Sequence, residues 1–496
     1  MTTVKITTRI LILFCLVGWV FGCQPVPNFP ERGKWVVVMS PAGKLLSYDR
    51  DGDGVGDYQQ VLNQTGRKVE LRFGNENTEQ YEVVQLDKLS SEVPHFIIAL
   101  DGVPYELVEE LYRAGGFRLF HRPSRLISCF PSMTDLAFNR LFGGRQPLAF
   151  EAEYFDREKN RIVPGNDVYL SGANADWANK LDYRCPFMLD AMAYLLPDKV
   201  FETELRELME VLRKSQSGTK IVYSVGAAGL GTKGGRKAIL KYLMQVDRLC
   251  EQIVYERQGR VKITLLADHG HNMVGRGQVK FDQRLKEGCY SVRDRLEGPR
   301  DVVVVKYGLV TYTALYTERP WEMAGVLLAD SAVEELVCYR WHDAVVIQTS
   351  EGKAQIRHQH GRYNYQMDYG DPLGLAKVMK QLRQQGQVDQ QGYVDDRAFF
   401  AATVEHEYPD ALRRLWLAFD GLVEQPADLI VCLKDGWYHG SDFFSDLSEL
   451  AGGVKSTHGS LNRVNSTTFV LTMLGQLPEA MRLEDVMPQL DALRNK

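Results

Sequence analysis

The sequence predicts an α/β protein in which helices sandwich a mostly parallel sheet, with a mixed α+β cap insertion and a small N-terminal antiparallel β domain. First, apolar runs of about five residues, such as FIIAL and ITLLA, alternate with helix-like segments after residue 90, which is typical of buried parallel strands. Second, residues 298–400 replace this alternation by strand-like runs and one helical segment. Third, short alternating runs before residue 90 indicate hairpins.

The composition is that of an ordinary globular protein. Of the 496 residues, 45% are hydrophobic and 25% are charged, which leaves room for one large domain or about two to three average ones. The net charge of −5 and the pI near 6.1 give no long-range attraction for a polyanion. We therefore expect no nucleic-acid partner.

Residues 1–23 are predicted to be a lipoprotein signal peptide. Lys5 and Arg9 precede the apolar run ILILFCLVGWVFG, and Cys23 follows it. The ending VFGC resembles a bacterial lipobox, which implies that Cys23 is lipidated and that acyl chains hold the mature protein on a membrane. Because Gln24 and not Asp comes next, we expect the outer membrane of a bacterial cell envelope, facing the periplasm or the exterior. An ordinary secretory peptide is the alternative.

Residues 24–90 are predicted to form the small β domain, and its DRDGDGVGD loop has the pattern of a calcium site. Four carboxylates match positions 1, 3, 5 and 9 of an EF-type loop, and Gly54 matches the sharp turn at position 6. Position 12 is Gln60 instead of a bidentate Glu. The loop is therefore either a short calcium site or an acidic turn. The four carboxylates are Asp49, Asp51, Asp53 and Asp57.

The predicted α/β core is divided by the cap. Residues 91–297 form its first part and residues 401–496 its second, with the cap at 298–400 between them. The cap assignment rests on the runs RDVVVVKYG, VTYTALYT, DAVVIQT and KAQIRH, and the second part of the core rests on DALRRLWLAF, DLIVCL and TTFVLTML.

Residues that can carry chemistry stand where the core strands end. Asp101 follows FIIAL, and Asp268 and His269 follow ITLLA. Ligands of open α/β sheets collect beyond the carboxyl ends of the strands, so we expect these side chains to meet there with Thr134 and His458. Two carboxylates, an imidazole and a hydroxyl can hold a divalent cation and keep the hydroxyl deprotonated as a nucleophile.

Four segments in this order resemble the alkaline-phosphatase-like superfamily, in particular its phosphodiesterase and nucleotide pyrophosphatase branch. They are LDGV, PSMTDLAFNRLFGG, ADHG and STHGSLN, within about residues 93–275 and 405–475. The resemblance implies a metal-dependent phosphoric ester hydrolase with zinc, a small phosphoester substrate and a phosphothreonine intermediate. The family nucleophile stands ten residues before the last Gly of its helix, which is Gly144 here, so Thr134 and not Cys129 is the predicted nucleophile. Thr134 is also a candidate helix N-cap.

The glycine-rich stretch SVGAAGLGTKGG, residues 224–235, stands where the family carries the Asp and His of a second metal site. Gly226 takes the Asp position and Leu230 the His position, and neither residue can bind a metal. The resemblance therefore implies a degenerate second site with His458 as its remaining ligand.

The same stretch has two other interpretations. The G-x-G-x-x-G pattern starting at Gly229 fits a dinucleotide-binding loop. That fingerprint expects an acidic residue at the end of the next strand, about 20 residues further on, whereas Asp268 ends that strand nearly 40 residues away. Alternatively, the backbone N–H groups of the stretch and two basic side chains bind phosphate in the place of the second metal. The residues of that predicted phosphate site are Gly229, Gly231, Lys233 and Arg236.

Three functional outcomes follow from the degenerate site. The chain is a one-metal hydrolase, a hydrolase whose second site is rebuilt from other ligands, or a catalytically silent binding or scaffold protein of the same fold. Candidates for replacement ligands, by residue type, are His271, Asp135, Asp167, Asp182 and His439.

Overall fold

The computed structural model describes residues 35–40, 43–49, 52–75, 78–163, 176–186, 192–193, 196–330, 332–450 and 452–495. The predicted signal peptide with its lipidation site Cys23, the calcium-loop residue Asp51 and the candidate ligand Asp167 lie outside the described residues. Among the helices in these ranges, none is long and apolar enough to cross a membrane.

A five-stranded antiparallel sheet forms the N-terminal part of the described chain, as the alternating runs predict. Its strands pair in sequence order, each with the next. They are β1 (Trp35–Ser40), β2 (Gly43–Tyr48), β3 (Tyr58–Leu62), β4 (Lys68–Asn75) and β5 (Thr78–Gln85).

The rest of the chain contains the strands and helices of the α/β core and the cap. In chain order the strands are β6 (His95–Leu100), β7 (Ser124–Ile127), β8 (Tyr154–Asp156), β9 (Arg161–Val163), β10 (Thr219–Ser224), β11 (Lys262–Ala267), β12 (Gly277–Gln278), β13 (Ser291–Val292), β14 (Asp301–Val304), β15 (Tyr312–Tyr316), β16 (Glu334–Trp341), β17 (Ala344–Gln348), β18 (Lys353–Gln359), β19 (Arg362–Tyr369), β20 (Tyr393–Asp395), β21 (Leu429–Leu433), β22 (Trp437–Tyr438), β23 (Thr467–Thr472) and β24 (Ala480–Arg482). The described helices are α1 (Tyr105–Arg113), α2 (Thr134–Phe142), α3 (Pro197–Lys214), α4 (Gly226–Glu256), α5 (Phe281–Glu287), α6 (Pro320–Leu327), α7 (Ala376–Gln384), α8 (Asp396–Thr403), α9 (Ala411–Phe419), α10 (Asp442–Leu450), α11 (Arg463–Ser466) and α12 (Val486–Arg494).

The central sheet has six strands in the order β10, β6, β11, β23, β7 and β24. Strands β10, β6 and β11 run parallel, β23 is antiparallel to both of its neighbours, and β24 is parallel to β7. All strands except β23 therefore point the same way, which confirms the predicted mostly parallel sheet.

Both faces of the central sheet are covered, because alternate residues of a strand point to opposite sides. Ile97 and Ala99 of β6 face a core that includes helix α2 and strands of the second large sheet. Phe96 and Ile98 face a core that includes helices α1, α3 and α4 and the N-terminal sheet. This two-sided burial explains why β6 has no polar residue between its first position and Asp101.

The second large sheet has nine strands in the order β13, β14, β15, β21, β16, β17, β18, β19 and β20. Its neighbours are antiparallel apart from the first pair. Strand β21 lies beyond the predicted cap limit at residue 400 and yet sits inside this sheet. That limit therefore does not coincide with a change of sheet.

Helix α4 joins the N-terminal sheet to the core. Glu251, 7% exposed, accepts hydrogen bonds from Gln60 and forms a buried ion pair with Lys68. The ring of Tyr255 packs edge-on against Tyr58 at 5.0 Å. The helix that begins with the glycine-rich stretch is thus anchored at its other end.

Replacing Glu251 by Ala is expected to lower the free energy of unfolding by about 3–5 kcal/mol, because the buried Lys68 ammonium would lose its counter-charge. Urea unfolding followed by circular dichroism measures this loss. Glu256→Ala on the same helix is the matched control, since its pair with Arg213 has side chains that are 30% and 50% exposed; there we expect a loss of about 0–1 kcal/mol. Equal losses would contradict the structural role of the buried pair.

Candidate active site

Two neighbouring strands bring three of the predicted ligands to one point. Asp101 directly follows β6, while Asp268 and His269 follow β11, and the parallel register places Ala267 beside Leu100. The three side chains are buried. One ligand atom from each lies within 4.8 Å of the other two, and within the described ranges this is the group of residues that could hold a metal ion.

Thr134 brings its hydroxyl to the same point. Its Oγ1 lies 3.2 Å from His269 Nε2 and donates to Asp101 Oδ1 at 3.5 Å. Met133 occupies the N-cap position of α2, and Thr134 is the first helical residue. The Thr134 hydroxyl therefore faces the Asp101 carboxylate and does not cap the helix.

The hydrogen bonds of His269 leave its Nε2 atom as a lone-pair donor. Its Nδ1 lies 2.9 Å from the Gly270 carbonyl oxygen, which accepts the Nδ1 proton. Burial lowers the pKa of His269 to about 4, so the ring is neutral at physiological pH and Nε2 carries no proton. This is the form of imidazole that binds metals.

The Asp268 carboxylate points a lone pair of its own toward the lone pair of His269 Nε2. Its Oδ1 accepts hydrogen bonds from the Gly102 and His269 backbone N–H groups, each at 2.9 Å. Its Oδ2 lies 3.2 Å from His269 Nε2 and, among the described residues, has no hydrogen-bond partner. Burial raises the pKa of Asp268 to about 7. Because two lone pairs face each other in a buried place, a divalent cation fits between them.

Tyr223 and Gly102 also belong to the site, although they are not among the site residues predicted from the sequence. The Tyr223 hydroxyl donates to Asp101 Oδ2 at 2.5 Å. Gly102 has φ +63°, and a Cβ on it would lie 2.7 Å from a ring carbon of His271. The available sequence signal was the position of Tyr223 next to the end of β10, the strand beside β6.

His458 and His271 complete a cluster of three imidazoles. The His458 ring stacks on His269 with centroids 4.0 Å apart, and its Nδ1 donates to the Ser132 carbonyl at 2.8 Å. The His271 ring lies 5.2 Å from that of His458 and 6.4 Å from that of His269. Burial lowers the pKa of both His271 and His458 well below the usual range.

The glycine-rich stretch is the first part of helix α4 and not a loop. The helix begins at Gly226 and is kinked at Gly235, whose φ of 62° and ψ of −154° are not helical, so residues 226–234 and 236–256 are two helical segments. The Gly226 N–H donates to Glu204 Oε2 at 2.9 Å. Gly229 packs so closely that a Cβ would lie 2.1 Å from the Ala193 carbonyl oxygen. A phosphate-cradling or dinucleotide-binding loop is therefore absent at residues 226–234.

Lys233 and Arg236, the two basic side chains of the predicted phosphate site, form contacts with other parts of the protein. Lys233 Nζ donates to the carbonyl and hydroxyl of Ser448 at 3.0 and 2.8 Å. Arg236 forms an exposed ion pair with Glu110. Gly231 lies beside His271, with a Cβ position 3.7 Å from His271 Nδ1. These contacts give no support to a phosphate site made by Lys233 and Arg236.

Most other candidate ligands for a second metal are occupied by structural contacts. Asp135 Oδ1 accepts from Trp177 Nε1 at 2.8 Å. Asp182 accepts from Lys220 Nζ at 2.7 Å and from a backbone N–H. His439 Nδ1 donates to the Val279 carbonyl at 3.0 Å. Of the described candidates, His271 is the one whose ring lies beside His458.

The predicted calcium loop turns its carboxylates toward its own backbone. Asp49 accepts hydrogen bonds from the N–H groups of Gly52 at 2.6 Å and Gly54 at 2.9 Å. Asp53 accepts from the Val55 N–H at 2.7 Å. Asp57 immediately precedes β3. These contacts are those of an acidic turn, and calcium binding stays a prediction.

No protein-family model and no curated protein matches this chain. Among solved structures it is similar to murine ectonucleotide pyrophosphatase/phosphodiesterase 5, with 11% identity and a TM-score of 0.40 over 81% of this chain and 94% of that one. It is also similar to phosphonoacetate hydrolase from Sinorhizobium meliloti 1021 in complex with phosphonoformate, with 12% identity and a TM-score of 0.44 over 83% and 97%.

Asp268→Asn is expected to stabilise the metal-free protein by about 2 kcal/mol at pH 8. The pKa of Asp268 is raised in the folded state, so the wild-type fold binds this proton more tightly than the unfolded chain does. Wild-type stability from this group is therefore present at low pH and is lost as the pH rises through about 7. The Asn amide carries no charge and can donate to His269 Nε2.

Denaturant unfolding in the presence of a chelator at pH 5 and pH 8 measures this effect. The advantage of the variant should shrink at pH 5, and added zinc should stabilise the wild type alone. If Asp268→Asn is less stable than the wild type at pH 8 without metal, the ionised Asp268 carboxylate does not lower the free energy of unfolding.

Proposed function

We propose that this chain is a metal-dependent phosphoric ester hydrolase with Thr134 as its nucleophile. The observation that carries the proposal is the meeting of Asp101, Asp268 and His269 around one point, with the Thr134 hydroxyl 3.2 Å from His269 Nε2. A structural role alone gives no reason for a hydroxyl, an imidazole lone pair and two carboxylates to converge in a buried place.

The ligand set favours zinc as the cation. Two carboxylates and one imidazole are ligands that zinc accepts, and Thr134 Oγ1, 3.2 Å from His269 Nε2, would be a further oxygen ligand. A cation bound there would supply positive charge to the Thr134 oxygen and to a phosphoryl oxygen. Calcium binding by Asp49, Asp51, Asp53 and Asp57 in the N-terminal domain is a separate part of the proposal. Asp51 lies outside the described residues.

The proposed reaction is a displacement at phosphorus. The Thr134 hydroxyl loses its proton to solvent, Thr134 Oγ1 forms a bond to phosphorus, and the bond from phosphorus to the ester oxygen breaks. The leaving alkoxide takes a proton from water, and a second water then cleaves the phosphothreonine. The sum is one ester and one water converted to an alcohol and a phosphoric acid. Thr134 opens helix α2, and the helix N-terminus favours the negative charge of the phosphoryl group.

The proposed cellular setting is the bacterial envelope. It rests on the N-terminal sequence, in which Cys23 ends a lipobox-like segment. Acyl chains on Cys23 would hold the enzyme on a membrane, where it would meet small phosphoester substrates of the periplasm or exterior.

The second candidate function is a catalytically silent binding protein. The observation that favours it is the state of the second site, where Gly226 and Leu230 supply no ligand and the Gly226 N–H is bound to Glu204. Tight metal binding separates the two candidates: the hydrolase is expected to bind about one equivalent of zinc, whereas a silent relative is expected to bind well under one equivalent.

Thr134→Ala is expected to lower kcat for bis(para-nitrophenyl) phosphate at least about 10³-fold in zinc- or manganese-loaded protein, because the attacking oxygen is lost. Thr134→Ser keeps that oxygen and should retain measurable turnover. Release of para-nitrophenol, followed by absorbance, measures both.

The exposed turn residue Thr65, whose hydroxyl donates to Asn63, gives the matched control Thr65→Ala, which should behave as the wild type. Equal turnover by the wild type and Thr134→Ala would remove the nucleophile assignment. A chelator that leaves wild-type turnover unchanged would remove the metal dependence.

A further inference from the structure

His271 is a buried histidine with one ring nitrogen that has no partner. Its exposed fraction is 1%, its Nδ1 lies 2.5 Å from Ser456 Oγ, and its Nε2 has no hydrogen-bond partner among the described residues. Buried polar atoms without a partner are rare and destabilising. The unpartnered Nε2 of His271 therefore indicates that this atom forms a hydrogen bond to a bound ligand.

Two arrangements of the hydrogen atoms satisfy the contacts around His271 Nδ1. Ser456 Oγ accepts the Met273 N–H at 2.8 Å, and its single hydrogen can go to His271 Nδ1 at 2.5 Å or to Asn272 Oδ1 at 3.4 Å. Asn272 Oδ1 already accepts the Thr457 N–H at 3.0 Å. When Ser456 donates to Nδ1, the His271 proton sits on Nε2. When Ser456 donates to Asn272, the proton sits on Nδ1, so a ligand that accepts from Nε2 selects the first arrangement.

In the tautomer that carries the proton on Nε2, this N–H donor lies beside Gly102 and close to the metal ligand His269. A Cβ on Gly102 would lie 3.2 Å from His271 Nε2 and 3.4 Å from His269 Cε1. The two imidazoles thus converge over Gly102, and the His458 ring lies between 4.0 and 5.2 Å from both. A group bound at the Asp101 and Asp268 carboxylates through a cation would lie next to this donor.

The second metal implied by the family resemblance does not fit this chain. Gly226 and Leu230 have no ligand atoms in their side chains, and no third donor joins His271 and His458 within the described residues to make a metal-binding group. A hydrogen-bond donor in that place is compatible with the residues present, whereas a cation held by two imidazoles has too few protein ligands.

We propose that His271 Nε2–H donates a hydrogen bond to a non-bridging phosphoryl oxygen of the substrate, in place of the second cation, and that the site takes phosphodiesters. This inference rests on the proposed hydrolase function. One divalent cation balances the two negative charges of Asp101 and Asp268. A neutral hydrogen-bond donor, unlike a second divalent cation, adds no positive charge to balance a dianionic substrate. The site therefore suits a monoanionic diester better than a dianionic monoester.

The experiment compares His271→Gln with His271→Asn in zinc-loaded full-length protein. A Gln amide N–H reaches near the position of Nε2, whereas an Asn amide reaches near Nδ1, so only Gln can replace the donor. We expect His271→Asn to lower kcat/KM for bis(para-nitrophenyl) phosphate about 10²-fold and His271→Gln to recover most of that loss. The wild type should prefer this diester to para-nitrophenyl phosphate.

His439→Asn is the matched control. His439 is also buried, with Nδ1 bonded to a carbonyl and Nε2 unpartnered among the described residues, but its ring packs on Phe281. The His439→Asn variant should have the same kcat/KM as the wild type. Zinc content should stay at one equivalent in all variants. A second equivalent in the wild type that disappears with His271→Asn would make His271 a metal ligand and overturn the proposal, as would equal losses with Gln and Asn.

Binding of inorganic phosphate separates failure of this inference from failure of the proposed function. If the zinc-loaded wild type hydrolyses no ester, the hydrolase proposal fails, and calorimetric titration with phosphate still tests His271. We expect the phosphate Kd to rise at least about tenfold with His271→Asn and to change little with His271→Gln. An unchanged Kd in His271→Asn would show that Nε2–H does not bind phosphoryl oxygens.

Discussion

The meeting of the Asp268 carboxylate and the His269 lone pair in a buried place is the interaction on which the rest of the site depends. An oxygen and a nitrogen 3.2 Å apart, with the His269 proton committed to Gly270, repel each other unless a proton or a cation lies between them. Burial raises the pKa of Asp268 in the metal-free protein to about 7. Removing this charge from water is costly, so the sheet must hold both strand ends firmly enough to keep the groups together.

The parallel register of β6 and β11 provides that hold. It fixes Asp101 and Asp268 at equivalent points of adjacent strands, and the apolar residues of both strands are buried on each face. The first turn of α2 then approaches from outside the sheet and contributes Thr134. The absence of a side chain at Gly102 leaves room for the imidazoles above it. A rigid core thus positions a site that would not assemble from its residues alone.

The strand-end residues are predictable from the sequence because a uniformly apolar run followed by Asp indicates where a buried strand meets solvent or a ligand. The glycine-rich helix is not, because glycine disfavours helices in isolation and a loop is the default interpretation. Its helical form depends on close packing, such as that of Gly229 against Ala193. Tyr223 and Ser456 are equally hidden, since their contacts span 122 and 185 residues of sequence.

Glu204 and the glycine at position 226 are linked by packing and by a hydrogen bond at the start of helix α4. Glu204 is fully buried, and it accepts hydrogen bonds from the Ser224 hydroxyl and from the N–H groups of Val225 and Gly226. A Cβ on Gly226 would lie 2.8 Å from Glu204 Oε2, so an Asp at position 226 and the present Glu204 carboxylate would compete for the same space and the same N–H groups. The carboxyl group at the start of helix α4 is thus supplied by a side chain from α3, which accepts hydrogen bonds from the N–H groups of Val225 and Gly226. His271 and His458 face the site as neutral imidazoles, because burial lowers the pKa of both rings.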